Sequence, residues 1–133
     1  SAMRTWILFA LAGVALAQEK SPRKMPATLD GKELYMAYCA SCHGGDGRGK
    51  GPVAVALKGP IPDLTTLAKR NGGKFPTGQL EKTILGDAKN PAPHGSREMP
   101  VWGPVFRRVE NDQDLGLLRV RRVVEFIQSQ QAK

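Results

Sequence analysis

Aromatic side chains are scarce in this chain, at 6% of its 133 residues. That is little material for a core built from side chains alone, and it leaves room for a large buried group without proving one. There are two cysteines, Cys39 and Cys42. A bridge between them would close a tiny loop and remove little chain entropy on unfolding, so a disulfide scaffold is excluded. Acidic residues are outnumbered by basic ones, giving a formal charge of +8. No stretch alternates with period two long enough to build a sheet, and no internal repeat is visible. What remains is hydrophobic content of 41%, in a chain long enough for one compact domain and hardly for two.

The first residues read as an address. Ser1-Ala2 ahead of Met3 has the form of an expression-tag scar. From Met3 come a short positive region at Arg4, the apolar run Trp6 to Ala17, and an A-x-A cleavage site at Ala15-Leu16-Ala17. Residues 3–17 are therefore expected to be a signal peptide cleaved after Ala17, with Gln18 as the mature N-terminus. A membrane anchor is the rival reading, but spanning a bilayer takes roughly 20 apolar residues and this run is well short. Export, most simply to a bacterial periplasm, is the expectation. Residues 18–29 carry Pro22 and Pro26 and read as a flexible lead-in to a domain over residues 30–133.

Within that domain Asp30 is placed to cap a helix from about Gly31 to Cys42, with Leu34, Tyr35 and Tyr38 on one face. A glycine-rich loop follows over Gly44 to Pro52. Asp63 caps a short helix through Arg70, ended by Asn71-Gly72-Gly73. Thr77 starts another, carrying Leu80, Ile84 and Leu85 and stopped at Gly86. Asn90 to Pro104 holds four prolines, too many for regular structure. The final helix spans about Asp112 to Gln131, with Leu115, Leu118, Val120, Val123, Val124, Phe126 and Ile127 on its period. The class is all-α, with loops long enough to imply something organising them from inside.

Cys39-Ala40-Ser41-Cys42-His43 has the C-x-x-C-H pattern of c-type haem attachment. The spacing has a chemical reason. Two thiols add to the two vinyl groups on one porphyrin edge, and the next side chain, His43, reaches the iron. A thioredoxin-like site would sit in a strand-helix-strand setting, which is absent. Structural zinc needs four ligands, and only Cys39, Cys42, His43 and the distant His94 could contribute. Gly44 to Lys50 matches the start of a phosphate-binding loop, but Gly51 replaces the required serine or threonine and a helix precedes it.

The chain resembles the small monohaem class I c-type cytochromes of bacteria. The resemblance is carried by Gly31-x-x-x-Tyr35, Cys39 to Gly44, Asp46-Gly47-x-Gly49-x-Gly51-Pro52, Pro62-Asp63-Leu64, Met99-Pro100 and Val123-x-x-Phe126-Ile127. It implies a cytochrome c fold of about four to five helices with long loops wrapped around one haem c, covalently held by Cys39 and Cys42. It implies His43 and Met99 as the axial iron ligands, with His94 in the same loop as the rival that would make the haem bis-histidine. It further implies that the Pro52 carbonyl accepts from Nδ1 of His43, and that the first and last helices cross at Gly31 and Tyr35. Trp102, Arg97 and Arg48 are candidates for holding the haem propionates, the alternative being ordinary packing and solvated charge. Met36 reads as core packing, and Met25 falls in the lead-in.

The implied function is a periplasmic one-electron carrier rather than an enzyme, because two bound axial ligands leave the iron no open position. A haem enzyme or gas sensor with an open sixth site is the alternative, as is an electron-transfer subunit of a dehydrogenase or oxidase complex. The excess of lysine and arginine, including Arg107-Arg108 and Arg119-Val120-Arg121-Arg122, reads as solvated helix faces. Together these charges favour acidic redox partners such as membrane respiratory complexes, and anionic membrane surfaces. Nucleic acid is not an expected partner of an exported protein, and a monomer is expected.

Overall fold

The computed structural model describes residues 27–86, 99–108 and 113–133. The expected leader, Met25, His94 and Arg97 lie outside the described residues. No strand occurs among them, and the helices number six, two of them single turns of four residues. None is long and apolar enough to cross a membrane.

Helix α1 (Gly31–Tyr38) begins where a carboxylate can satisfy a free backbone donor: Asp30 Oδ1 accepts from the Glu33 N–H at 2.8 Å. The expected single helix through Cys42 is interrupted by one residue. Cys39 has φ −111°, and α2 (Ala40–His43) follows it. The ladder nevertheless persists across the break, with Cys39 N–H to Tyr35 O at 2.8 Å and His43 N–H to Cys39 O at 2.9 Å.

The glycine loop after α2 folds back on the turn it leaves. Gly49 N–H donates to His43 O at 2.7 Å, Gly51 N–H to Cys42 O at 3.1 Å and Val53 N–H to Ser41 O at 2.9 Å. Gly44 and Gly49, with φ of 81° and 78°, give the left-handed backbone these reversals need. The Tyr35 hydroxyl, buried, donates to Gly44 O at 2.7 Å and ties the loop to α1.

Asp63 caps a 3-10 turn over Leu64–Thr66, accepting from both the N–H (2.8 Å) and the hydroxyl (2.6 Å) of Thr65. That turn leads into α3 (Leu67–Arg70), and α4 (Thr77–Leu85) ends at left-handed Gly86. The expectation of irregular chain as far as Pro104 needs correction, since α5 occupies Gly103–Arg108. Pro104 stands in the first turn, where a missing N–H costs nothing and the fixed φ suits a helix start.

Helix α6 (Gln113–Ser129) is the element on which α1, α4 and α5 all pack. Its Val120, Val123, Val124 and Ile127 are buried together with Leu34, Tyr35, Ile84 and Phe106. Each such aliphatic side chain contributes about 1.5–3 kcal/mol on leaving water. The α1–α6 crossing falls where the resemblance implied: a Cβ on Gly31 would run into the Arg122 carbonyl, and the Tyr35 and Phe126 rings lie 5.2 Å apart.

Two side chains depart from their expected environments. Met36 is 50% exposed rather than in the core; it lies over Gly45 on the outer face of α1. Arg119, read as part of a solvated run, is only 1% exposed, whereas Arg121 and Arg122 do face solvent. Helical periodicity explains the difference, because position 119 shares the inward stripe with Val120, Val123 and Val124 while 121 and 122 fall opposite.

Candidate functional site

A cavity of about 180 Å³ lies among α2, the Pro62–Leu67 segment, α4 and the strand of chain before α5. Cys39, Cys42 and His43 line it from one turn of helix, so all three are delivered by the same few backbone hydrogen bonds that the glycine loop reinforces. Met99, Pro100 and Trp102 line it from a different segment. Leu64, Leu67, Leu80, Ile84 and Ile127, with Pro62 and Pro76, make the remaining wall mostly apolar.

The electrostatics of the ligating turn follow from burial. Desolvation lowers the pKa of His43 and favours the neutral imidazole, while the backbone of Pro62 acts in the opposite sense. Nδ1 of His43 is buried and outside hydrogen-bond geometry to any partner among the described residues, although the Pro62 carbonyl is near enough to influence the ring. With Nδ1 buried in the protein, Nε2 is the nitrogen left for a ligand. Burial, with Cys42 nearby, pushes the Cys39 thiol up to about 12. The two cysteines form no disulfide.

The structure brings Cys39, Cys42, His43, Met99 and Trp102 to one cavity. The hydrogen bond expected from His43 Nδ1 to the Pro52 carbonyl is not formed among the described residues, and the backbone that acts on the ring is that of Pro62. The reason is the tether that follows it, Leu64 N–H to Gly47 O at 2.7 Å, which draws the Pro62–Leu64 segment against the glycine loop. Arg48 also lies away from the cavity. It is exposed, its N–H bonds Asp46 Oδ1 at 3.1 Å, and its guanidinium stands 4.0 Å from Asp46.

The sequence reading missed Tyr38 as a wall residue. Tyr38 lines the cavity and packs edge-on against Trp102 (5.5 Å) and Phe106 (5.0 Å). Its helical register showed that it faces inward; its position just before Cys39 was the signal that inward there means toward the site. Among the described residues no group of three or more His, Cys, Asp or Glu is placed to hold a metal ion by itself.

A family model for Cytochrome c matches residues 28–131. No curated protein and no solved structure gave a match. The chain belongs to the cytochrome c family, which carries electrons on haem. The residues present fit that group: two thiols and an imidazole rise from one wall, a thioether from another, and the rest of the lining is mostly apolar, with Ser41, Gln79 and Thr83 as its polar members.

Proposed function

We propose that this protein is an exported one-electron carrier holding one haem c, attached through Cys39 and Cys42, with His43 and Met99 as axial ligands. The observation that carries the reading is the convergence of those four side chains on one apolar cavity. When bound, the haem supplies reversible one-electron chemistry at its iron. The chain's own residues supply the rest.

Cys39 and Cys42 fix the macrocycle edge to a turn that the glycine loop holds in place. His43 presents Nε2 from a desolvated ring. Met99 offers a soft sulfur that favours the reduced metal and raises the potential, and Pro100 restricts the backbone next to it. The apolar wall of Leu64, Leu67 and Ile84 excludes water. With His43 and Met99 both holding the iron, no position would be left for a substrate, and the protein would transfer electrons rather than transform a bound molecule. The expected leader supports work outside the cytoplasm, and the basic excess supports docking to acidic redox partners.

The test is spectroscopic. Met99→Ala should remove the weak near-infrared band of methionine-bound oxidised iron, lower the reduction potential and open the reduced iron to carbon monoxide. His94→Ala should leave all three unchanged. The reverse outcome would establish a bis-histidine haem, and indifference to both substitutions would favour an open sixth site.

A further inference from the structure

The segment that bears Met99 has little holding it from within. Pro100 and Val101 are exposed, and α5, at six residues, is too short to be stable alone. Its position is set by two clamps. On the α4 side, Trp102 N–H donates to Ile84 O at 3.1 Å, and Gly103 sits so close that a Cβ there would lie 2.7 Å from the Leu85 carbonyl oxygen. On the α6 side, the Arg119 guanidinium donates to the Phe106 carbonyl at 3.3 Å, and a Cβ on Gly116 would lie 2.7 Å from Arg107 Cγ.

Arg119 is the unusual member of this set. It is the largest fully buried side chain among the described residues. It also lies behind the cavity wall, since it bonds the carbonyl of Phe106, whose ring packs edge-on against the cavity-lining Tyr38. Burying a guanidinium is costly unless its donors are used. Here one of them is used on a carbonyl near the end of the helix that follows Met99.

We propose that Arg119 is a positioning residue for the sixth iron ligand: by holding α5 against α6 through the Phe106 carbonyl, it keeps Met99 seated at the cavity. The inference rests on the reading of Met99 as a ligand. It predicts that loosening the α6 clamp frees Met99 from the iron under conditions where the rest of the fold is intact.

The experiment uses the full haem-loaded protein in its oxidised form, with imidazole as the competing ligand. Imidazole binds only when Met99 has left, so its apparent affinity reports the fraction of detached protein. Arg119→Met should tighten imidazole binding by about tenfold and weaken the near-infrared band, with Arg119→Lys intermediate. Phe126→Leu, which loosens the α1–α6 contact instead, should lower the urea midpoint while leaving imidazole affinity within about twofold of wild type. If Arg119→Met does not fold, Gly116→Ala, which presses α5 away from α6, should produce the same tightening. Unchanged imidazole affinity in the α6-clamp variants would overturn the proposal, as would changes that merely follow global stability in all variants. A wild-type protein with no methionine band would overturn the ligation itself, and this inference with it.

Discussion

Gly31 lies directly against the Arg122 carbonyl, so the first and last helices of the domain touch backbone to backbone. The Tyr35–Phe126 pair, 5.2 Å between ring centroids, fills the space one turn further along. The contact joins segments some ninety residues apart, and no side chain fits between them. Gly31→Ala should therefore force the helices to separate and cost about 1–3 kcal/mol, read as a lower urea midpoint. An unchanged midpoint would mean that the crossing is looser than the structure shows.

This crossing was legible only through the family resemblance, which implies that the first and last helices meet at Gly31 and Tyr35. The ligating turn was legible directly, since thioether attachment fixes the spacing of Cys39, Cys42 and His43. What could not be read was anything decided by distant tethers. Pro52 ends the glycine loop and Pro62 lies ten residues on, and the Leu64–Gly47 hydrogen bond that brings the Pro62 segment back against that loop has no signal in the sequence. Four prolines concealed α5, because a proline in a first turn and a proline in a loop look alike until the helix is seen. Arg119 was hidden by its neighbours, the one inward charge beside the outward Arg121 and Arg122.

The Asp63 cap should make stability depend on acid. Hydrogen bonds from the Thr65 side chain, helped by its backbone N–H, hold the Asp63 carboxyl below its ordinary range. A depressed folded-state pKa contributes stability above the unfolded value of about 3.9, lost as pH falls through the folded value. Asp63→Asn should flatten that part of the acid unfolding profile, and Asp63→Ala should cost about 1 kcal/mol at neutral pH through loss of the cap. An acid limb identical in wild type and Asp63→Asn would contradict the assignment.

Association with redox partners should weaken as salt rises. Lys50, Arg108 and Arg121 are exposed, and charges in solvent are screened over about 8 Å at physiological ionic strength. Electron-transfer rates to a membrane oxidase, followed across a salt series, should fall steadily. A flat profile would reduce the basic excess to a solubility device.

The cavity wall makes a further prediction. Trp102 packs on Tyr38 and Phe106 and lines the cavity beside Met99. Trp102→Ala should leave the haem attached and cost about 3–5 kcal/mol of stability, the usual range for truncating a well-packed aromatic. A loss well below that range, measured by urea unfolding, would mean that Trp102 is not a supporting element of this wall.

The most direct test of the account is the intact mass of protein exported and matured in a host that attaches haem. After full denaturation the wild-type chain should retain the mass increment of one haem. Cys39→Ala combined with Cys42→Ala should lose that increment completely. A wild-type chain that comes through maturation without it would contradict the claim that Cys39 and Cys42 hold a haem c.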